Sequence, residues 1–429
     1  MLIENHTVQH IDYTENYYLI IQCQSFSLTS FLKNGWLVSA DGLHLRRVYS
    51  EHSITYRYEP YEKGCFTTFI ETRKRLLKRG DIGYIFNSNL EFDFFCETFT
   101  NYYCAFSLRE IDWKSVCETV YPKLSKVVSE QDFFQVLSQT IAPLQDAHVV
   151  LELEGEEDIE YVNAETIWDR YRILAIDQGI QEADEQWTFV FDQVDRLTTI
   201  KKQYAHIDYP LLQLANGKIH CFRISPEIGV LIIDEMEDFT QSDFIDEDTQ
   251  LTADLNAIVK VFPEVYKALS DCSHIAIDLR HNTGGFDQIS QLLMTHFIAS
   301  EASLYKKQVG NEIEIYSLKP AENNLLLPER ISVLTSASTL SAGELLAMML
   351  RQLPQATLIG EPSQGILSDI LEKQLPCGIK FGVSNERYLT MEGEWFERNG
   401  IPVSLTVPYG CDKQLLEQQD WGMEILLSL

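Results

Sequence analysis

A serine at the start of a predicted helix is the first residue whose setting could support chemistry. Residues 331–350 read ISVLTSASTLSAGELLAMML, which predicts a buried strand at 331–334, a turn of small residues, and an apolar helix from about Ala342. Ser341 lies where the turn becomes the helix, close to unpaired backbone N–H groups and the positive helix end. Acyl transfer needs such a setting, because negative charge develops on an oxygen beside the nucleophile. Ser341 is therefore a candidate nucleophile.

A purely structural interpretation of Ser341 remains open at this point. The sequence SAGE at 341–344 fits a capping box, in which the serine side chain only caps the helix and Glu344 bonds back to it. The rest of the chain must decide between a cap and a nucleophile.

A second candidate turn, DLRHNTGG at 278–285, also lies between a predicted strand and a predicted helix. Two adjacent glycines let a backbone approach a ligand closely, although they also suit a plain tight turn. The N–H of Gly284 or Gly285 could bind an oxyanion together with the N–H of Ala342. Asp278 and Arg280 are expected to hold this turn through hydrogen bonds and an ion pair.

A serine nucleophile also needs a base and a group that orients the base. His148 lies at a predicted helix-to-strand junction, and His281 in the Gly-Gly turn is its main competitor. Glu397 lies between aromatic residues and a turn, where it could accept a hydrogen bond from an imidazole. Taken singly, His148 could be a structural histidine and Glu397 an ordinary surface glutamate.

Five segments together resemble the S41 serine peptidases, the family of tail-specific carboxyl-terminal processing proteases, tricorn protease and the retinoid-binding IRBP modules. They occur here in the family's order, over roughly residues 89–148 and 228–408. The segments are LQDAH at 144–148, DLRHNTGG at 278–285, TLSAGE at 339–344, GEP at 360–362 and ERNGIP at 397–402. Each segment alone is a weak signal, and the set is a strong one.

The resemblance implies one of two catalytic arrangements. Processing proteases use a Ser/Lys dyad, but Ile366 occupies the position of that lysine here, and Lys373 is out of register. The tricorn-like arrangement uses a histidine from the helical cap and a late glutamate, which His148 and Glu397 match. The resemblance further implies an oxyanion hole from a Gly284 or Gly285 amide and the Ala342 amide.

Two departures from the family pattern affect details of this assignment. Val403 follows Pro402 where the family often has aspartate, and Ala147 precedes the histidine where tricorn has a hydroxyl residue. Neither change removes a proton-transfer group.

The elements that must position these residues fall into four predicted parts. Residues 1–88 alternate in short runs and predict a β-rich unit, and residues 89–148 predict a helical bundle that acts as a cap. Residues 149–226 give no assignable fold. From 227 to 429 strands alternate with helices, which predicts an α/β catalytic domain with a mixed sheet. The family resemblance makes this a crotonase/ClpP-like core.

Composition limits the function classes. The chain has 429 residues, 45% of them hydrophobic, and a formal charge of −30 that argues against binding nucleic acid or an anionic membrane. No apolar run is long enough to predict a membrane span. The nine cysteines include no CxxC pair, and the first residues resemble no signal peptide, so a cytoplasmic location is expected unless a leader was removed.

The resulting hypothesis is a serine peptidase with a Ser-His-Glu mechanism that acts on a peptide or protein substrate. The alternative is a catalytically inactive relative that binds a peptide or small ligand in the same cleft. No metal or organic cofactor is expected, and no HExxH, Walker A or GxSxG sequence suggests another class. The resemblance also implies self-association, because related peptidases assemble.

Overall fold

The amino-terminal part of the chain consists of antiparallel strands. The computed structural model describes residues 79–80, 85–156, 164–241, 247–310 and 312–429, together with the backbone of nine strands between residues 2 and 75. These strands are β1 (Leu2–Ile3), β2 (Thr7–Asp12), β3 (Tyr17–Gln22), β4 (Phe26–Ser27), β5 (Phe31–Lys33), β6 (Trp36–Val38), β7 (Leu45–Tyr49), β8 (Ile54–Tyr58) and β9 (Thr67–Arg75). Five of them form a sheet in the order β2-β3-β9-β8-β7. The predicted strand content of this region is confirmed.

Helices follow, as their aromatic periodicity predicts. They are α1 (Ser88–Tyr102), the single-turn α2 (Phe106–Arg109), α3 (Trp113–Leu124) and α4 (Glu130–Ile141), which continues into a 3-10 helix (Ala142–Leu144). Ser129 and Asp132 form a reciprocal capping box that fixes the start of α4. Phe95, Phe99 and Trp113 are buried between the helices, so the aromatic stripe is core. We call α1–α4 the cap.

The region without a predicted fold is a helical hairpin flanked by short strands. It contains β10 (Leu151–Glu152), α5 (Ile167–Asp177), α6 (Ala183–Lys202), β11 (Leu212–Leu214), a 3-10 helix (Ala215–Gly217) and β12 (Ile219–Arg223). Tyr171 of α5 and Val190 of α6 are buried against Tyr409 from the end of the chain. This long-range contact explains why the local sequence did not reveal the fold.

The remaining elements alternate between strand and helix. They are β13 (Ile228–Ile233), α7 (Glu247–Leu269), β14 (His274–Asp278), α8 (Asp287–Thr295), β15 (Ala302–Val309), β16 (Glu312–Leu318), β17 (Arg330–Thr335), α9 (Ser341–Arg351), β18 (Ala356–Gly360), β19 (Lys373–Gln374), β20 (Lys380–Phe381), β21 (Arg387–Leu389), β22 (Leu405–Thr406), α10 (Asp412–Glu417) and α11 (Trp421–Ser428). None of the helices in the described ranges is long and apolar enough to cross a membrane.

A seven-stranded mixed sheet is the centre of this part, in the order β11-β12-β13-β14-β17-β18-β22. From β13 to β22 the pairing is parallel. Side chains of β13 alternate between its two faces: Leu231 and Ile233 pack with α7–α9, whereas Val230 and Ile232 pack with α11. Burial on both faces explains the continuous apolar strands, and confirms the predicted α/β core.

Neighbouring parallel strands bring the two candidate turns together. β14 pairs with β17 from His274↔Arg330 to Asp278↔Leu334. The Gly-Gly turn follows β14, and the Ser341 turn follows β17, so both lie at the carboxyl edge of the sheet. Sites in open α/β sheets form at this edge.

Candidate active site

Ser341 occupies the first position of α9, and it is not the helix cap. Its φ is +47°, a left-handed value that is rare for a residue other than glycine, and its side chain is partly exposed. The N-cap is Leu340, and no side chain caps the helix there. The serine-cap interpretation is therefore wrong. No hydrogen bond to a described residue engages the Ser341 hydroxyl.

The Gly-Gly turn packs directly against the Ser341 turn. Gly284 has φ +97°, and a Cβ placed on it would lie 2.8 Å from the Ser341 Cβ. The Leu340 N–H donates to the Asn282 carbonyl oxygen at 2.9 Å, which joins the two turns through their main chains. Only a residue without a side chain fits at Gly284, because of both its φ and this contact.

Two backbone N–H groups remain open beside the serine. The Gly284 N–H donates to the Asn282 Oδ1 at 3.0 Å, so it is already engaged. Across the described ranges, no acceptor is bonded to the N–H of Gly285 or of Ala342. Of the three predicted oxyanion donors, Gly285 and Ala342 are thus the available pair, and Gly284 provides the close approach between the turns.

His148 follows the 3-10 helix at the end of the cap, in a turn built on Asp146. The buried Asp146 carboxylate accepts the His148 N–H at 3.1 Å, the Tyr103 hydroxyl at 2.8 Å and the Ser384 hydroxyl at 3.0 Å. Burial lowers the pKa of His148, while Asp146 and the Ser368 main chain act in the opposite direction. Its buried Nδ1 has no hydrogen-bond partner in the described structure. The lowered pKa keeps the imidazole neutral near pH 7, which is the form that accepts a proton.

Glu397 is fully buried, so the surface-glutamate interpretation is wrong. Its Oε2 accepts the N–H of Leu367 at 3.0 Å and that of Ser368 at 3.2 Å. Its Oε1 lies 3.8 Å from Arg109 Nη2. Burial raises its pKa well above the usual range, and the negative charges of Asp146 and Glu344 add to this effect.

Two of the three predicted catalytic side chains, His148 and Glu397, contact the same segment of chain. In the part of the chain that the structure describes, no hydrogen bond joins Ser341 to His148 or His148 to Glu397. Both His148 and Glu397 contact the main chain of Ser368. Residues 363–368, which follow the GEP sequence, therefore connect the histidine and the glutamate.

Glu344 is a site residue that the sequence analysis considered only as part of a helix cap. Its fully buried carboxylate accepts the Ser341 N–H at 3.3 Å, and also binds residues 363–366. The available signal was its spacing of three residues from Ser341. That spacing predicts the bond to Ser341, but not the bonds to a segment some twenty residues later.

The two competing candidate bases, His281 and Lys373, contact aromatic side chains away from the serine. His281 Nε2 is 2.6 Å from the Tyr409 hydroxyl, and burial lowers its pKa to about 3. Lys373 Nζ lies 5.4 Å from the centre of the Tyr102 ring in the cap. Ile366 contributes only its N–H, which donates to Glu344.

Asp278 and Arg280 form the predicted ion pair beneath the Gly-Gly turn. Arg280 donates from Nε to Asp278 Oδ1 at 2.9 Å and from Nη2 to Oδ2 at 2.7 Å, and both side chains are buried. Asp420 binds Arg280 Nη1 at 2.8 Å. This network supports the turn from below, and none of its hydrogen bonds among the described residues reaches Ser341.

A pocket of about 300 Å³ opens beside Gly285. Its lining includes Lys307, whose Nζ lies 3.1 Å from Asp287 Oδ2 and 3.0 Å from Asp369 Oδ2. Within the described ranges, no group of three or more His, Cys, Asp and Glu side chains could hold a metal ion.

Comparison with known proteins gives two family matches and a set of similar structures. Residues 227–407 match the model of peptidase family S41, and residues 90–142 match the tricorn protease C1 domain. A protein of Parabacteroides merdae ATCC 43184, described as a peptidase, superposes with a TM-score of 0.60 at 18% identity, covering 80% of this chain and 98% of its own. Mature CPAF gives 0.53 at 12% identity, with 77% and 94% covered, and its complex with lactacystin gives 0.51 at 11%, with 77% and 95% covered. At these identities the superpositions show a shared fold.

Proposed function

Since the chain belongs to peptidase family S41, we propose that it is a serine peptidase with Ser341 as its nucleophile. The peptide bond of a peptide or protein substrate is hydrolysed through an acyl-enzyme. His148 is the general base, Glu397 orients and stabilises the imidazolium, and the amides of Gly285 and Ala342 form the oxyanion hole.

The contact between the two turns is the observation that carries this proposal. A Cβ on Gly284 would lie 2.8 Å from the Ser341 Cβ, and among the described residues no acceptor is bonded to the Gly285 or Ala342 amide beside that contact. Two amides without an acceptor beside a partly exposed serine suit an oxyanion better than they suit a structural turn, because unpaired buried amides are costly.

The chemical steps follow from the groups present. The Ser341 Oγ attacks the carbonyl carbon while His148 takes its proton, and the oxyanion forms opposite Gly285 and Ala342. Protonated His148 then gives its proton to the leaving amine, which leaves an ester on Ser341. Water, deprotonated by His148, attacks the ester, and His148 returns this proton to the Ser341 Oγ as the second product leaves.

The electrostatics of the site support the role of His148 as the base. Burial lowers the pKa of His148, so the imidazole is neutral and able to accept a proton near neutral pH. Since Ser341 and His148 share no direct hydrogen bond here, we propose that substrate binding brings them into reach, as catalytic hydrogen bonds often tighten only in the substrate complex.

Hydrolysis of an unfolded protein substrate by wild type and Ser341→Ala tests the proposal. We expect the variant to lose at least about 10³-fold in kcat, since the nucleophile is removed. A fluorophosphonate should label wild type at Ser341 and leave the variant unlabelled. Ser303→Ala, a change at a serine in β15 that bonds to Ser317, is the control and should behave as wild type.

Two results would contradict the peptidase. Equal hydrolysis by wild type and Ser341→Ala would remove Ser341 from the mechanism. Absence of both hydrolysis and labelling in the folded wild type would instead favour a protein that only binds a ligand in this cleft.

A further inference from the structure

Glu344 binds four hydrogen-bond donors, and only one of them belongs to its own helix. Its Oε1 accepts the Ser363 hydroxyl at 2.6 Å and the Gly365 N–H at 2.7 Å. Its Oε2 accepts the Ile366 N–H at 2.9 Å and the Ser341 N–H at 3.3 Å. A residue that merely capped α9 would serve the first turn of that helix, so three of these bonds need another explanation.

The same segment continues directly to Glu397. After Gly365 and Ile366, the next two amides, of Leu367 and Ser368, donate to Glu397. Residues 363–368 therefore divide their donors between two buried carboxylates, one from the nucleophile helix and one from the late turn. The His148 imidazole contacts the last residue of this segment, Ser368.

The segment is also locked against the turn that follows Glu397. The Ser363 Oγ accepts the Ile401 N–H at 2.7 Å, and the Arg398 N–H donates to the Gly365 carbonyl oxygen at 2.6 Å. A Cβ on Gly400 would lie 2.0 Å from the Ser363 carbonyl oxygen. Such close main-chain packing means that a shift of the segment would move Glu397 as well.

We propose that Glu344 is a positioning residue of the reaction centre, which ties the Ser341 turn to the segment that holds Glu397 and His148. This inference rests on the proposed function. Glu344 touches no reacting atom. It fixes where the nucleophile stands relative to the base, and misplacement of reacting groups by about 1 Å can cost about 10²-fold in rate.

Glu344 holds the Ser341 turn in position when its carboxylate is ionised. All four of its partners are donors, so a protonated carboxyl group would have to give up one acceptor position. Burial raises the pKa of Glu344 to about 7, against the effect of the hydrogen bonds from Ser363, Ile366, Gly365 and Ser341.

The charged groups nearest to Glu344 are Glu397 and the side chains that contact Glu397. The titratable group facing it in the described structure is Glu397, whose own pKa is raised in part by Glu344. Arg109 of α2 lies 3.8 Å from Glu397 Oε1 and 3.4 Å from Asp146 Oδ2. Activity should therefore fall as the pH drops through about 7, because protonation of Glu344 releases one of the donors it holds.

Glu344→Gln is the first test, measured as kcat and kcat/KM against pH on an unfolded protein substrate. The amide keeps the shape but presents a donor to a donor, so we expect kcat to fall about 10- to 100-fold with KM little changed. The acid limb of kcat/KM should move from near pH 7 to the limb of His148, whose pKa is lowered from 6.5. A residue needed only for folding would not move this limb.

Ser363→Ala is the second test. In this variant the acid limb of kcat/KM should move to higher pH, opposite to the shift expected for Glu344→Gln. Removing the hydroxyl removes a hydrogen bond that lowers the pKa of Glu344, so the acid limb should rise by about one pH unit. This variant keeps the inference testable if Glu344→Gln does not fold.

Glu91→Gln is the matched control. Glu91 is a buried glutamate of α1 whose carboxylate accepts the Cys377 N–H at 3.3 Å, and it lies in the cap. Glu91→Gln should change the midpoint of thermal unfolding and leave the acid limb of kcat/KM at the wild-type pH. Two outcomes would overturn the positioning role, provided that Ser341→Ala is inactive. One is that Glu344→Gln keeps the wild-type kcat and the wild-type acid limb of kcat/KM. The other is that Ser363→Ala keeps the wild-type acid limb. If Ser341→Ala stays active, the proposed function fails and this inference falls with it.

Discussion

Ser341 adopts a backbone conformation that a serine ordinarily avoids. Its φ of +47° costs about 1–3 kcal/mol for a residue with a side chain, so the surroundings must enforce it. Asn282 does so from the Gly-Gly turn, where it accepts the Leu340 N–H, and its side chain donates to the Ile233 carbonyl oxygen at 3.0 Å. Backbone strain that the fold maintains at a partly exposed serine is consistent with the proposed nucleophile.

The choice between the two histidines can be tested by removing each in turn. His148→Ala should lower kcat by about 10²- to 10⁴-fold, because the general base is lost. His281→Ala should keep kcat per folded molecule, since its ring is bonded to the Tyr409 hydroxyl and not to the serine. Hydrolysis rates, corrected for the folded fraction, provide the measurement. A larger loss of kcat in His281→Ala than in His148→Ala would reverse the assignment.

At the scale of elements, two parallel strands decide which turns meet. β14 and β17 are neighbours in the sheet, and the helices after them, α8 and α9, lie side by side, joined by a hydrogen bond from the Ser290 hydroxyl to the Ala342 carbonyl oxygen at 2.6 Å. This arrangement presents the start of α9 to the Gly-Gly turn. The site is therefore a property of adjacent strand ends, and each turn depends on the other for its shape.

Gly284→Ala tests whether the contact between the turns matters. The new Cβ would stand 2.8 Å from the Ser341 Cβ at a φ of +97°, so we expect about 1–3 kcal/mol of lost stability and at least about tenfold lower kcat. Gly393→Ala is a matched control, because Gly393 has φ +92° and open space around it. Gly393→Ala should have a lower free energy of unfolding in urea because of backbone strain, and the same kcat as wild type. Normal kcat in Gly284→Ala would argue against the contact as a catalytic feature.

At the scale of the whole molecule, the cap shares its core with the carboxyl-terminal half of the chain. Phe381 of β20 lies between Phe95 and Phe99 of α1, with ring centres at 5.0 and 6.0 Å. β20 also pairs with β10, the short strand that follows His148. The histidine is thus held by an interface built from two distant parts of the sequence. The predicted domain boundaries at 88, 148 and 226, and self-association, stay predictions.

Phe381→Ala should show how strongly this interface supports the fold. Removing a buried ring should lower the free energy of unfolding by about 3–5 kcal/mol, measured by denaturant titration. Phe191→Ala removes a ring that is 57% exposed and should change it by less than about 0.5 kcal/mol. Similar midpoints for the two variants would show that the cap folds without this contact.

Local patterns in the sequence determined the amino-terminal strands, the cap helices, the α/β core and the two turns, but not the hairpin of α5 and α6. The apolar runs before Asp278 and Ser341 predict buried strands, and Gly284 and Gly285 predict a close approach, because these features depend on residues near in sequence. His148 and Glu397 were candidates by their position in the sequence, and the resemblance to S41 peptidases selected them from the competing residues.

Only the tertiary structure decided the partners of these residues. It buried Glu397 against two amides and gave Glu344 donors from residues 363–366. Pairing of this kind depends on which segments meet after folding and on the loss of water around buried carboxylates. Neither is encoded in the spacing of neighbouring residues, so the environment that fixes each pKa appears only in the folded chain.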